Sequence, residues 1–385
     1  MKSHRRKWGA FVVTAALTAL SAQAQTMPAA DGRFAATAAP AADGYQVRPF
    51  DLSALPVYRA EEQPIGIVRI TGTPLDSLVG RLTGEFKNLH KRVRFTTYLV
   101  NTSQAIAGLV EDTADIGFMG HSAWRSGRIA FEETHGYPPL EIRFGKGSYD
   151  DPLGSTPGLV FFVHKDNPLR QLTVRQIDGV FGAARSGGWE GTRWSARAAR
   201  GADGNIRTWG QLGLTGEWAD KPISVHGTDV TLSNWADLIE KVAFRGGTRW
   251  NPALREGPRA DIVKGNHDKQ IVRAVNEDRY AIGFMFQRVV NDVGKDVRVL
   301  PIVPDGGGTA IAPSADSFFS GSYPFHNNVY LYLDRKPGTR LPAREREFLR
   351  FILSREGQKI IADDRRFIPL NADEIRAELR KIDEY

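Results

Sequence analysis

The hydrophobic positions change period again and again along this chain. Ile65, Ile67 and Ile70, with Val68 between them, predict a short, mostly buried strand. Leu75, Leu78, Val79, Leu82 and Phe86 then recur at helical spacing. Thr71-Gly72-Thr73-Pro74 separates the two patterns, and Pro74 suits a first helical turn. Residues 93–100 predict a strand, and Asn101-Thr102-Ser103 then starts a helix through Ile106, Leu109 and Val110. Residues 115–119, 158–164, 222–225, 280–286, 297–303 and 329–333 predict further strands. Helices are expected over 172–181 with Thr173 as N-cap, over 235–242, over 344–362, and from the capping Asn371 through Ile382. Between Gly182 and Trp209 no period survives, which predicts a long surface excursion. The alternation implies an α/β architecture with largely parallel sheets. In such sheets ligands sit beyond the carboxyl ends of strands.

A length of 385 residues suits two domains, and 41% hydrophobic with 25% charged residues is ordinary for a globular protein. The start is different. Lys2, Arg5, Arg6 and Lys7 precede an apolar run over 9–20 that is too short to span a bilayer. Ala22-Gln23-Ala24 fits the small-residue cleavage rule, so residues 1–24 are expected to be a cleavable signal peptide. There is no cysteine, hence no lipidated cysteine anchor and no disulfide framework. A soluble product released into a periplasm is the expectation. Losing the four basic residues of the signal lowers the formal charge from +7 to +3, which gives no argument for nucleic acid. The arginines of 193–207 are scattered among Gly and Ala and read as a solvated loop. Residues 25–64 are rich in Ala, Pro, Asp and Gly and are expected to form a flexible or loosely docked leader.

Several strand ends share one chemistry, hydroxyls and backbone amides with few charges. They are Thr71-Gly72-Thr73, Asn101-Thr102-Ser103, Gly120-His121-Ser122, and Gly227-Thr228-Asp229 with Thr231 and Ser233. A strand turning sharply into a helix aims free N–H groups, such as those around Leu75, at one spot suited to an anion. Singly, each turn reads equally well as helix capping. Together they could replace the water around an oxyanion with neutral donors, without a metal or cofactor. Gly306-Gly307-Gly308 lacks the lysine and spacing of a phosphate loop. The eight histidines are dispersed, and His267-Asp268 and the run from His226 to Asp229 are weak catalytic candidates, so no catalytic residue is assigned. Trp124 and Trp235 read as core or hinge packing, or as the border of a cleft for a larger ligand.

Five stretches, in order, carry a resemblance to a known family. They are ITGTPLDSLVGRLTGEF, DTADIGFMGHSAW, HKDNPLRQLTVRQIDGVFG, RTWGQLGLTGEWADKPISVHGTD, and the long block beginning YPFHNNVYLYLDRKPGTRLPAREREFLRFI. Over residues 65–370 the chain resembles the phosphate-binding proteins of phosphate ABC transporters, within the wider class of two-lobed periplasmic solute receptors. The resemblance implies two α/β lobes joined by two crossing strands, the first from 65–158 with 325–385 and the second from 159–324. It implies a monomer without enzymatic activity that docks on a transporter's membrane subunits. By the same resemblance Gly72, Thr73, Leu75, Thr102, Ser103, His121 and Ser122 would line the site from the first lobe. Thr228, Asp229, Thr231 and Ser233 would line it from the second. The family usually carries Arg-Asp and then Ser-Gly-Thr in that second-lobe loop. This chain has Thr228-Asp229 and then Leu232-Ser233-Asn234. Where the family has Asp or Arg after the third strand, this chain has His121. A neutral histidine in one tautomer can accept the proton of a monohydrogen anion, a protonated one would attract the anion as a cation, and a polar loop residue facing solvent would do neither. These departures leave a diverged receptor for an organophosphate or other anion open, and from another class a secreted phosphate-ester hydrolase or a surface interaction protein built on the receptor fold.

Overall fold

The structure, a computed structural model, describes residues 50–147, 158–228, 230, 234–257 and 267–384. The expected signal peptide and most of the leader lie outside these residues, as do Asp229, Thr231 and Ser233. Leu52, Leu55 and Tyr58 pack against the first-lobe core, whereas Phe50 packs on Phe319 of the second lobe at 5.3 Å. Leu55 is buried, and the Tyr58 hydroxyl donates to Glu347 Oε2 at 2.8 Å and lies 2.7 Å from His90 Nε2.

The first lobe opens with β1 (Gly66–Gly72), α1 (Asp76–Leu89), β2 (Val93–Tyr98), α2 (Gln104–Val110), β3 (Ile116–Met119), α3 (Arg125–His135) and β4 (Leu140–Gly147). On α1 the side chains of Leu78, Val79, Leu82 and Phe86 are fully buried, as the helical spacing requires. The chain then enters a second lobe through β5 (Leu159–His164), β6 (Leu172–Thr173) and α4 (Val174–Phe181). Thr173 caps α4 in a capping box with Gln176, its Oγ1 accepting from Gln176 N at 3.0 Å. The expected excursion contains a hairpin, β7 (Gly188–Glu190) with β8 (Arg193–Ser195), and short 3₁₀ turns; Trp209 at its end is fully buried.

The second lobe continues with β9 (Ser224–Gly227), α5 (Asn234–Val242), β10 (Arg255–Glu256), α6 (His267–Glu277), β11 (Ala281–Phe286), α7 (Gln287–Val293), β12 (Val297–Leu300), β13 (Ile302–Val303) and α8 (Ala315–Ser320). The single strand expected over 297–303 is split because Pro301 has no N–H to donate. The chain returns to the first lobe as β14 (Asn328–Leu333), α9 (Ala343–Ile352), α10 (Arg355–Asp363), β15 (Phe367–Ile368) and α11 (Ala372–Asp383). The one long helix expected over 344–362 is broken at Ser354. Its hydroxyl donates to Phe351 O at 2.7 Å and accepts from Gly357 N at 3.3 Å, ending one helix and capping the next.

The first sheet has the order β15-β4-β14-β3-β1-β2 and the second β10-β9-β11-β5-β12. Both are mixed rather than largely parallel. In the first, β1 runs parallel to β2 and β3, but β14 runs antiparallel to β3 and β4. In the second, β5 runs antiparallel to β11 and β12. The reason is the crossing. Each of β14 and β5 enters its sheet from the other lobe, against the βα units already there. The crossing segments pair where they meet, with Leu159 N donating to Phe325 O at 2.9 Å and Gly147 N to Asn327 O at 3.0 Å. Gly158 is required at this point, since a Cβ there would lie 2.3 Å from Phe325 O. Each lobe has its own apolar core, one around Val68, Leu82, Phe86 and Phe348, the other around Phe161, Phe181, Trp209 and Phe284.

Candidate functional site

Three strand ends of the first lobe meet at one hydroxyl. β1 ends at Gly72, whose φ is +129° and where a Cβ would lie 2.1 Å from Phe118 O, so no other residue fits this close approach to β3. The next residue, Thr73, is fully buried and donates its N–H to Phe118 O at 2.9 Å. Thr73 Oγ1 accepts from Gly120 N at 3.0 Å and lies 3.0 Å from Thr102 Oγ1. The two hydroxyls own two hydrogens and their mutual contact uses one. The other is left for a further acceptor. Gly120 is itself held from the crossing segment, its carbonyl accepting from Asn327 Nδ2 at 2.8 Å.

Leu75 is buried and precedes α1 with no side-chain cap on the helix, so the first-turn N–H groups have no side-chain acceptor. Ser103 is exposed and does not cap α2. That task falls to Asn101, whose Oδ1 accepts from Gln104 N at 3.2 Å. The Ser103 hydroxyl is therefore not engaged by the helix it precedes.

His121 is buried at 5% exposure and packs edge-on against Trp124, with ring centroids 4.8 Å apart. Its Nδ1 lies 2.7 Å from Ser122 O. A carbonyl can only accept, so Nδ1 carries the proton and Nε2 presents a lone pair. Burial pushes the imidazole below its usual range; the Ser122 carbonyl and Asp237 oppose this, and Lys241 adds to it. The buried ring, with Nδ1 engaged and burial favouring its neutral form, leaves Nε2 as the nitrogen available for a ligand, unlike a solvent-facing loop residue.

Ser122 turns away from this cluster and joins the lobes. Its Oγ donates to Asp237 Oδ2 at 3.1 Å and accepts from Lys241 Nζ, both on α5, and those two residues pair at 2.6 Å. Sequence reasoning missed Asp237 and Lys241. Their i, i+4 spacing on the helix after the second-lobe loop was the signal available. A cavity of about 170 Å³ lies here, bordered by Ser122, Arg128, Glu141, Asp237, Lys241 and His326. Arg128 pairs with Glu141, so each of these two cations is matched by a carboxylate.

In the second lobe, Thr228 is buried at the carboxyl end of β9. Two residues on, Val230 N donates to Glu256 Oε1 at 3.1 Å. Gly227 precedes it because a Cβ there would lie 2.2 Å from the Phe284 ring. The structure thus gathers Thr73, Thr102 and Gly120, sets His121 one residue on, and links Ser122 to the helix that follows the Thr228 loop. Among the described residues no hydrogen bond joins Thr228 to the Thr73 cluster. His226 bonds Ser224 Oγ through Nε2 at 3.0 Å, and Trp235 packs on Phe286 in the second core. Among the described residues no group of three His, Asp or Glu is placed to hold a metal ion.

Comparison with known proteins matches residues 57–356 to the family described as a PBP superfamily domain. The phosphate-binding protein PstS of Pseudomonas aeruginosa is 28% identical over 323 residues, which cover 83% of this chain and 88% of that protein. Protein SphX of Synechococcus elongatus is 24% identical over 216 residues, covering 56% of this chain and 54% of that one. Among solved structures, PstS from Borrelia burgdorferi superposes with a TM-score of 0.50 at 12% identity, covering 79% of this chain and 99% of that one.

Proposed function

Since the chain belongs to the PBP superfamily, we propose that it is a periplasmic receptor that captures a small oxyanion between its lobes, inorganic phosphate foremost, for an ABC transporter. The observation that carries the reading is the junction of three strand ends at the Thr73 hydroxyl. The likeness to the Pseudomonas phosphate-binding protein says which anion to try first. In this reading the spare hydroxyl hydrogen of Thr73 and Thr102, the N–H groups after Leu75, and Ser103 donate to the anion from the first lobe. The Gly72 turn gives the backbone its close approach. Thr228, Thr231 and Ser233 donate hydroxyls from the second, and Asp229 its backbone N–H. The neutral His121 Nε2 accepts a hydrogen bond from the P–OH of monohydrogen phosphate. Sulfate has no such hydrogen at neutral pH and would set lone pair against lone pair. Capture closes the lobes about the crossing segments, and the closed monomer docks on the membrane subunits. No chemistry of its own is assigned.

A second reading has a specific observation behind it. Thr228 stands where the resembled proteins usually carry arginine, and the nearby cations Lys241 and Arg128 are already paired. Such a site suits a less highly charged phosphate ester. Calorimetric titration of the mature protein with phosphate, sulfate, a phosphonate and a bulky phosphate ester decides. Phosphate binding with sulfate silent is expected. A response to the ester alone selects the second reading, and silence across the panel removes both. Metal-dependent turnover of a chromogenic phosphate ester would overturn the non-enzymatic assignment.

A further inference from the structure

The insertion between α4 and β9 has no part in anion capture as argued above. Its hairpin is fixed at the base to the second lobe. The Arg185 guanidinium gives Asp178 on α4 two hydrogen bonds of 2.7 Å, and Arg185 and Arg200 exchange backbone bonds of 2.9 Å. Trp189 N donates to Gly246 O at 2.9 Å. Gly246 has φ +82°, and a Cβ there would lie 2.1 Å from Trp189 O, so the seat is shaped for this hairpin. The far side of the hairpin touches the other lobe. The Arg125 guanidinium lies 4.8 Å from the Trp189 ring centroid. Thr192 Oγ1 donates to Glu132 Oε2 at 2.6 Å. Arg125 and Glu132 stand seven residues apart on α3, so one face of that helix receives both contacts. Trp194 packs edge-on against Trp189 at 5.4 Å and backs the ring.

We infer that the hairpin is a latch, which seats on the second lobe, grips α3 of the first and holds the lobes together. Contacts made only in the closed form bias the equilibrium toward it, with or without a ligand. Both contacts break when the lobes separate. Their consequence for release rests on the receptor reading; their geometry does not.

The chain has no cysteine, so labels on Asn88→Cys in the first lobe and Asp220→Cys in the second report the inter-lobe distance cleanly. The double variant Trp189→Leu, Thr192→Val removes the latch from one side. Arg125→Ala with Glu132→Gln removes it from the other and guards against a misfolded hairpin. Both pairs are expected to lengthen the distance in ligand-free protein. Both are expected to speed phosphate release in stopped flow by about thirtyfold or more, the scale of one cation–π contact plus one charged hydrogen bond. An unchanged distance in both pairs overturns the latch. Should the parent protein ignore phosphate, the distance measurement still decides the latch, while the receptor reading fails separately.

Discussion

Thr73 and Thr102 hold their hydroxyl oxygens 3.0 Å apart although they follow different strands, and the same Thr73 oxygen accepts from Gly120 N at 3.0 Å. One side chain therefore fixes three turns. Thr73→Val keeps the β-branched shape but strands a buried N–H, which costs about 1–3 kcal/mol. Urea unfolding should show that loss, and calorimetry a fall in phosphate affinity of at least about tenfold. Thr102→Val is half-buried and leaves Gly120 N satisfied. It should lose comparable affinity with under about 1 kcal/mol of stability.

His121 sets a second prediction. Its pKa is depressed, so the sign is that of a group held neutral: the stability it contributes is present above the usual histidine value and is lost as pH falls below it. As an acceptor it should favour phosphate over sulfate. His121→Phe is expected to erase that preference, and His121→Asp to keep it. The ratio of wild-type to His121→Asp affinities cancels the titration of phosphate itself. It should stay flat through the usual histidine range and change only at lower pH. A step near pH 6.5 would contradict the neutral assignment.

The parts of this fold that follow from local chemistry were legible in the residues. The helical spacing from Leu78 to Phe86, the Thr173 capping box and the Asn371 cap are each settled within a few neighbours. What depended on distant partners was not. Strand direction in the two sheets follows from the crossing of β5 and β14, which no local pattern encodes. The region from Gly182 to Trp209 lacks a period because its residues answer to several different partners: Arg185 to Asp178, Trp189 to Gly246 and Arg125, Thr192 to Glu132. In the candidate site, the turns at Gly72-Thr73 and Gly120-His121 could be named from hydroxyls and glycines alone. The engagement of Ser122 by Asp237 and Lys241 could not, because it crosses between lobes.

Glu240 on α5 makes stability depend on pH in the opposite sense to the usual paired carboxylate. Burial pushes its pKa up to about 7, with Asp237 adding to the rise, although Trp250 Nε1 donates to it at 2.8 Å. A raised carboxyl pKa means the folded form keeps a proton the unfolded chain has lost. Stability therefore declines as pH rises from the unfolded value toward 7 and stays reduced above it. The full effect is roughly 3 kcal/mol. Glu240→Gln should be more stable than the parent by roughly 2–3 kcal/mol at pH 8 and nearly equal to it near pH 4.5. Denaturant melts at the two pH values check this; an equal gain at both would contradict it.

Gly72 admits no side chain. In Gly72→Ala the new methyl would meet Phe118 O at 2.1 Å on a backbone with φ +129°. The strand end must shift, and a loss above about 3 kcal/mol is expected. Thermal unfolding measures it. Gly80→Ala on α1, where nothing lies within 4 Å of the added atom, is the control and should be neutral or stabilising.

The central claim is that hydroxyls and amides from separated turns grip one small oxyanion without a metal. A crystal structure of the mature protein grown with phosphate tests it most directly. The account predicts the anion beside Thr73 and Thr102, at the start of α1, with one oxygen directed at His121 Nε2 and others toward Thr228. Phosphate bound elsewhere, or a larger native ligand filling the space between the lobes with none of these groups touching it, would contradict it.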